Sequence, residues 1–509
     1  MSRPVCSDAP TNLDPALRDR NLRFSVYDGV FYAIMTGLGE GYLGAFAVFL
    51  RATNAQVAAL LSLPQLIGAL FQIVSAHVLY LVRNRKTIIL IGVFGQALTW
   101  PMIVASGLWT DYRIFWLILW VGLYFVLGNF AHPAWMSLMG DLVHAETRGT
   151  FFGRRNRWMS IASFSALGLA GLLLHATERW EAEAVGFITI FLAACTARLI
   201  SASYLVRMIE PSDVPPPTVL FSLWQFACDV RKSNFGRFVI YTTLTHFAVA
   251  ISGPLITPYL LRDLGFSYGQ FMCSSASVVL AQFLTLSPWG RFCDLFGNRR
   301  ALTLSGALLT IIPLFWLLTT DFYAILAIQF FAGICWAGFT LSMGNFIFDT
   351  VTPPRRALCA AIYSAGNAVG MFAGATLGGL LVQILPNAIT LGTFSFSWQS
   401  NMTILFFVSM LLRAAVSLTL RSTLKEVRDV RPFQARSFIH ILARIAPFPD
   451  RLFSSIFNDG KTEKESDAGT ETLPASPPSN REAERLYGSG SHDTDPSEPH
   501  RIKHGPAWR

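Results

Sequence analysis

The chain has 509 residues, of which 52% are apolar and only 14% charged, with 41 Phe and 13 Trp, whereas a soluble domain carries about a quarter charged residues. Those proportions exclude a disordered chain and an ordinary soluble enzyme. The net charge, 40 − 31 = +9, is no nucleic-acid signature, because the basic residues sit between apolar runs, where they set topology.

Residues 1–23 are polar and lack the apolar core of a signal peptide, so they read as an uncleaved cytoplasmic tail. A bilayer crossing needs about 20 apolar residues. Twelve such spans are predicted, at 24–50, 55–82, 87–109, 114–139, 158–176, 184–206, 238–261, 270–292, 301–319, 322–348, 357–385 and 398–420. One set of loops carries Arg83, Arg85, Lys86, Arg148, Arg154, Arg155, Arg157, Arg207, Arg231, Lys232, Arg237, Arg291, Arg299, Arg300, Arg355 and Arg356. The alternate set has only Arg51, Arg113, Arg179 and Arg262, which puts both termini in the cytoplasm.

The predicted fold is an all-α polytopic membrane protein of two pseudo-symmetric six-helix bundles, 24–206 and 238–421. The linker 207–237 opens on Pro215, Pro216 and Pro217 and then spaces Leu220, Leu223, Trp224 and Ala227 as a surface helix. Residues 422–458 form a basic amphipathic segment with Phe438, Ile441, Leu442 and Ile445 on one stripe. Residues 459–509, rich in Ser, Pro, Glu and Asp, read as a disordered tail. The seven cysteines show no CxxC spacing, so neither a disulfide framework nor a metal site is expected, and no cofactor is implied.

The bundles repeat. Asp141-x-Val143 with Arg148 is echoed by Asp349-x-Val351 with Arg356 at an offset of 349 − 141 = 208. Arg198 matches Arg413 at 413 − 198 = 215, and the basic turn 84–86 matches 298–300 at 298 − 84 = 214. Three matches in order argue for six spans duplicated.

Between spans 8 and 9 stands GRFCDLFGNRR, with Gly290, Asp294, Gly297, Arg299 and Arg300 at fixed spacing. This loop, with twelve spans in a six-plus-six repeat, resembles the cytoplasmic signature of the major facilitator superfamily, and the resemblance covers about residues 24–420. The patterns GEGYLGAF, GDLVHAETRG and SGPLITPYLLRDLG look like a bacterial branch of unknown substrate, which implies the bacterial cytoplasmic membrane. The resemblance implies that Asp294 latches the two bundles near Gly153–Arg157, with Asp141, Arg148, Asp349 and Arg356 completing a cytoplasmic gate. In the first half Ala76, Tyr80 and Arg83 replace the expected Gly, Asp and Gly, so the matching latch there is expected to be weak or missing.

Ionisable groups inside a membrane are costly and therefore informative. Glu40 lies deep in span 1 between Gly39 and Gly41; it reads as a protonation site or cation partner, or else as a carboxyl in a structural hydrogen bond. Asp28 is either a substrate ligand or a solvated or Arg-paired gate residue. His132, with Asn129 and Trp135 in span 4, and His246 in span 7 offer substrate or proton contacts. Gln65, Gln282 and Asn345 offer amides to a ligand or to helix packing, as do Gln72 and Asn367. Arg198 and Arg413 are expected to snorkel or to pair with loop acids. Gly366, Gly370, Gly374 and Gly378 recur every four residues, as a close-packing stripe does.

The function expected from these residues is secondary active transport of a small organic solute by alternating access, coupled to a proton, by a monomer in the lipid bilayer without nucleic acid. No phosphate-binding loop occurs, since the GKT at 460–462 has Ser455 where the pattern needs Gly. No nucleophile triad or catalytic domain is visible, so an enzyme is not expected. A transporter-like sensor signalling through the polar tail is the alternative.

Overall fold

The computed structural model describes residues 15–82, 84–108, 112–143, 148–210, 233–351, 356–384, 388–391, 394–397 and 401–427. Most of the expected linker, most of the basic segment after span 12 and the whole polar tail lie outside the described residues. Without water in a bilayer core, each spanning segment must satisfy its own backbone, and the apolar runs are accordingly helical. The first half holds α1 (Pro15–Leu38), α2 (Leu43–Phe49), α3 (Asn54–Val82), α4 (Arg85–Ser106), α5 (Arg113–Leu142), α6 (Arg148–Arg179) and α7 (Glu183–Arg207). The second holds α8 (Asn234–Ala250), α9 (Tyr268–Phe296), α10 (Asn298–Leu318), α11 (Phe322–Thr350), α12 (Arg356–Ile384) and α13 (Met402–Leu420).

Eleven helical stretches among the described residues are long and apolar enough to cross a membrane. Span 1 is the twelfth and differs physically. Its amino end carries Arg18, Asp19, Arg20 and Arg23, and its apolar run is split by a 3-10 turn, Glu40–Tyr42, between α1 and α2. Span 7 breaks at the corresponding place. There α8 ends at Ala250, a 3-10 turn Gly253–Leu255 follows, and a π-helical segment Tyr259–Asp263 closes the span. Gly39 and Gly253 lie 253 − 39 = 214 apart, the offset of the repeat.

The halves meet through two helix pairs, α3 against α12 and α6 against α9. Span 2 thus packs on span 11 and span 5 on span 8, which is what a pseudo-two-fold axis between the halves produces. The glycine stripe of α12 lies along α8. A Cβ at Gly370, Gly374 or Gly378 would strike the carbonyl oxygens of Thr243, Phe247 and Ile251, so these glycines allow backbone-to-backbone contact.

At the Arg-rich end the repeat extends to hydrogen bonds. Glu210, just beyond α7, accepts from the backbone N–H of Arg85 and of Lys86, both at 3.2 Å, and thereby holds the amino end of α4. Glu426, just beyond α13, accepts from Arg299 N–H at 3.0 Å at the amino end of α10. A carboxylate at a helix amino terminus meets unpaired N–H groups and the positive dipole end. Gly297 turns between α9 and α10 at φ +89, and a Cβ there would strike Glu426.

Two features differ from expectation. The helix of span 5 starts at Arg148, ten residues before the apolar run, because its Arg-rich first turns continue the helix beyond the apolar segment. Between spans 11 and 12 two antiparallel strands pair, Ala388–Leu391 with Phe394–Ser397, in the register Ala388 to Ser397.

Candidate functional site

The interior of the first half holds a network of charged and polar side chains. Asp28, Arg155 and Arg198 are 3%, 7% and 5% exposed. Asp28 Oδ2 lies 3.6 Å from Arg155 Nη2, and Asp28 Oδ1 accepts from Ser201 Oγ at 2.7 Å. Ser201 in turn accepts from Arg198 Nη1 at 2.9 Å, while Arg198 Nε donates to Gln96 Oε1 at 2.8 Å. Arg155 Nε donates to the Ser25 carbonyl at 3.1 Å, and its guanidinium lies 4.5 Å from the Trp135 ring centre. The Arg198 guanidinium lies 4.9 Å over Tyr32. Gly29 is required where it stands, because a Cβ there would press on Arg155. Buried charges persist only when paired and hydrogen-bonded, and this network meets both conditions across α1, α4, α6 and α7.

Asp28 is paired with Arg155 in this structure. Arg198 does not snorkel. Its neighbours Gln96, Ser201 and Tyr32 point inward and satisfy it locally, so it has no need of the membrane surface. Arg413 also stays inside, at 8% exposure. Its Nη1 donates to the Leu309 carbonyl at 2.9 Å, its Nε to Ser409 Oγ at 3.1 Å, and its Nη2 reaches the Val249 carbonyl at 3.5 Å. Ser409 Oγ donates to the Ala248 carbonyl at 2.6 Å. Ala248 and Val249 lie in the last turn of α8, whose carbonyls lack intrahelical partners, so Arg413 and Ser409 cap the break in span 7.

Glu40 opens the 3-10 turn that breaks span 1. Its Oε1 accepts from Tyr124 Oη at 2.5 Å. Among the described residues Oε2 has no hydrogen-bond partner. The turn is fixed on both sides: Trp100 fills the space a Cβ at Gly39 would need, and Tyr42 Oη donates to the Leu167 carbonyl at 2.7 Å. Trp100 also meets the Tyr124 ring edge-on, with centroids 5.0 Å apart.

The other candidates distribute as follows. His246 Nδ1 lies 2.8 Å from the Thr242 carbonyl, which leaves Nε2 available, and the ring stands 6.1 Å from those of Trp336 and Phe339. Gln65 donates to the Leu61 carbonyl at 3.1 Å and Asn129 to the Phe125 carbonyl at 2.9 Å, both within their own helices. Gln282 and Asn345 are half-buried without hydrogen-bond partners among the described residues, and His132 is exposed. Trp135 joins the network through Arg155 rather than flanking His132.

At the Arg-rich end, Asp141 pairs with Arg85 at 2.6 Å, and Asp349 accepts from Asn298 Nδ2 at 2.6 Å. Arg148 and Arg356 begin α6 and α12, but their side chains, like those of Ala76 and Tyr80 and the whole of Arg83, lie outside what the structure describes. Asp294 is exposed near the end of α9, and Gly290 has Leu341 as its near neighbour. Arg300 reaches the Phe296 carbonyl at 3.5 Å.

At the opposite end the halves are fastened to each other. Arg262 donates to the Ala52 carbonyl at 2.7 Å, and Glu178 accepts from the Tyr268 N–H at 3.2 Å, completing the amino terminus of α9. A Cβ at Gly44 would lie 3.3 Å from Thr257, and the rings of Tyr42 and Phe271 stand 6.2 Å apart. The two broken segments thus lie against each other where the halves close.

Residue-by-residue reading of the sequence missed Tyr32, Gln96, Tyr124, Arg155 and Ser201. Arg155 is hidden in a basic run, and the others are ordinary polar residues of apolar helices. Gly39, where a Cβ would collide with Trp100, was the signal that something large packs beside Glu40.

Two six-helix halves, each with its first helix broken, packed through spans 2 and 11 and spans 5 and 8, define a polytopic transporter-type fold. Residues 238–461 match the family profile described as Major Facilitator Superfamily. The fold is similar to that of the nucleoside transporter NupG, at 14% identity and a TM-score of 0.57 over 80% of this chain and 99% of that one. It is similar to a D-xylose-proton symporter, at 12% identity and a TM-score of 0.60 over 82% and 99%. A bacterial homolog of the human lysosomal transporter Spinster, in an inward-facing conformation, matches at 14% identity and a TM-score of 0.57 over 81% and 98%. The second half thus matches the Major Facilitator Superfamily profile, and the fold of both halves is similar to that of these transporters.

Proposed function

We propose that the chain is a secondary active transporter that moves a small organic solute by alternating access, with a proton as the coupling ion and Glu40 as the group that carries it. The observation behind this reading is Glu40 itself: a carboxyl inside a membrane span, held by one oxygen to Tyr124, with the other oxygen unpaired among the described residues. An intramembrane acid with spare hydrogen-bonding capacity can take up a proton without losing its position. Glu40 also sits in the turn that joins α1 to α2, and α2 lies against the broken segment of span 7. Its protonation state therefore acts on the contact that closes the Arg-poor end.

In this reading the Arg-rich end is cytoplasmic, and the fastened end faces outward. The bacterial cytoplasmic membrane and a monomeric state complete the proposal, with chemistry other than transport assigned to no residue. The test is uptake into proteoliposomes under an imposed proton gradient. Accumulation that collapses with a protonophore supports proton coupling. Accumulation that is indifferent to the proton gradient removes it.

A further inference from the structure

We propose that the transported solute carries a carboxylate, and that this group seats on Arg198 and Tyr32. The inference rests on the reading of Glu40 as the proton carrier. It starts from a charge count in the first half. Asp28, Arg155 and Arg198 are buried together and sum to +1. Ionised Glu40 brings the set to zero. Protonating Glu40 leaves one uncompensated positive charge in a low-dielectric interior, where an unpaired ion is strongly disfavoured. An anion arriving with the proton restores neutrality, whereas a cation would add to the excess.

The geometry provides a place for that anion. Arg198 spends Nε on Gln96 and Nη1 on Ser201, and Nη2 has no hydrogen-bond partner among the described residues. Tyr32, 4.9 Å beneath the guanidinium, likewise has a hydroxyl without a hydrogen-bond partner among them. Arg198 is buried and Tyr32 half-buried. A guanidinium lying over a phenol ring brings two donor groups to one region, and a carboxylate accepting from them makes the strong, charge-assisted kind of hydrogen bond. The ionisable groups that face Glu40 are Tyr124 from α5, Arg198 from α7 and Tyr32 from α1 in the same span, with Asp28 and Arg155 beyond Tyr32. Anion binding at Arg198 is therefore opposed by ionised Glu40 and favoured by protonated Glu40, and affinity rises as pH falls.

The experiment is thermal stabilisation of the purified full chain by matched probes on shared skeletons: gluconate, glucose and glucosamine; phenylacetate, phenylacetamide and phenethylamine; pyruvate and lactate. A ligand of the folded state raises the melting temperature according to its concentration relative to its dissociation constant. Stabilisation is expected from carboxylate members only, stronger at acidic than at neutral pH. Glu40→Gln, which fixes the neutral form, should bind the same carboxylate equally at both pH values. Arg198→Gln should weaken it about tenfold or more, and Tyr32→Phe by a few-fold, as loss of hydrogen bonds to a charged group does. Should Arg198→Gln fail to fold, Tyr32→Phe and Arg198→Lys carry the test, since neither removes a buried charge. Stabilisation by amide or amine members instead, unchanged affinity in Arg198→Gln or Tyr32→Phe, or no stabilisation by any probe overturns the anion site. A pH dependence that persists in Glu40→Gln overturns Glu40 as the proton carrier, and that result is separable from the fate of Arg198.

Discussion

The two halves of the molecule share a helix plan and handle buried charge in opposite ways. In the first half, Arg155 and Arg198 surround Asp28, with Ser201 and Gln96 between them and Glu40 at the break of span 1. In the second half, Arg413 occupies the position that matches Arg198 in the repeat, yet its described partners are the Leu309 and Val249 carbonyls and Ser409. One arginine belongs to a set that includes buried acids; the other caps the end of a helix. A duplicated scaffold can thus surround matching arginines with acids in one half and with carbonyl and hydroxyl oxygens in the other.

Removing the acid at the centre of the first half should have the largest effect. Asp28→Ala leaves two buried guanidinium groups without their carboxylate, and breaking a buried pair from one side costs about 3–5 kcal/mol; thermal unfolding in detergent should show a large loss. Next comes the close packing of the second half. Gly374→Val drives a side chain into the Phe247 carbonyl, and such overpacking costs about 1–3 kcal/mol, read by the same melting curve.

The matched arginines then give the sharpest contrast. Arg413→Met removes a cation held by carbonyl and hydroxyl oxygens and leaves those buried acceptors unpaired, at a cost of about 1–3 kcal/mol. Arg198→Met should be measurably worse, because Asp28 loses one of its two cations. Equal effects at 198 and 413 would remove the distinction between the halves. The smallest change is expected for Arg262→Ala, which gives up a bond to the Ala52 carbonyl worth about 1 kcal/mol. It should hardly move the melting temperature, while raising the labelling of a cysteine placed at Thr257 from the Arg-poor side.

Much of this architecture was legible in the sequence, because length and hydropathy are properties of single segments. Ten spans appear as continuous helices within a few residues of their apolar runs, spans 1 and 7 being broken, and α6 extends past its run only where Arg-rich turns continue the helix. The glycine spacing in α12 and the matched turns at 84–86 and 298–300 were visible as patterns. The partners of charged groups were not, since these depend on contacts between distant helices. Arg198 and Arg413 look alike in sequence as single cations in apolar helices, and only their neighbours on α1, α4, α8 and α10 separate them. Tyr124 carries no local signal of its bond to Glu40, 84 residues away. Glu40 stood out in the sequence as an acid between two glycines in an apolar run, which marks the residue without fixing its role.

The decisive measurement is the internal pH of proteoliposomes carrying the wild type or Glu40→Gln, followed with a trapped dye while a stabilising solute is added outside. Proton carriage by Glu40 predicts that the wild type acidifies the lumen, and that Glu40→Gln exchanges labelled solute across the membrane without moving protons. Acidification by Glu40→Gln at the wild-type rate would contradict it.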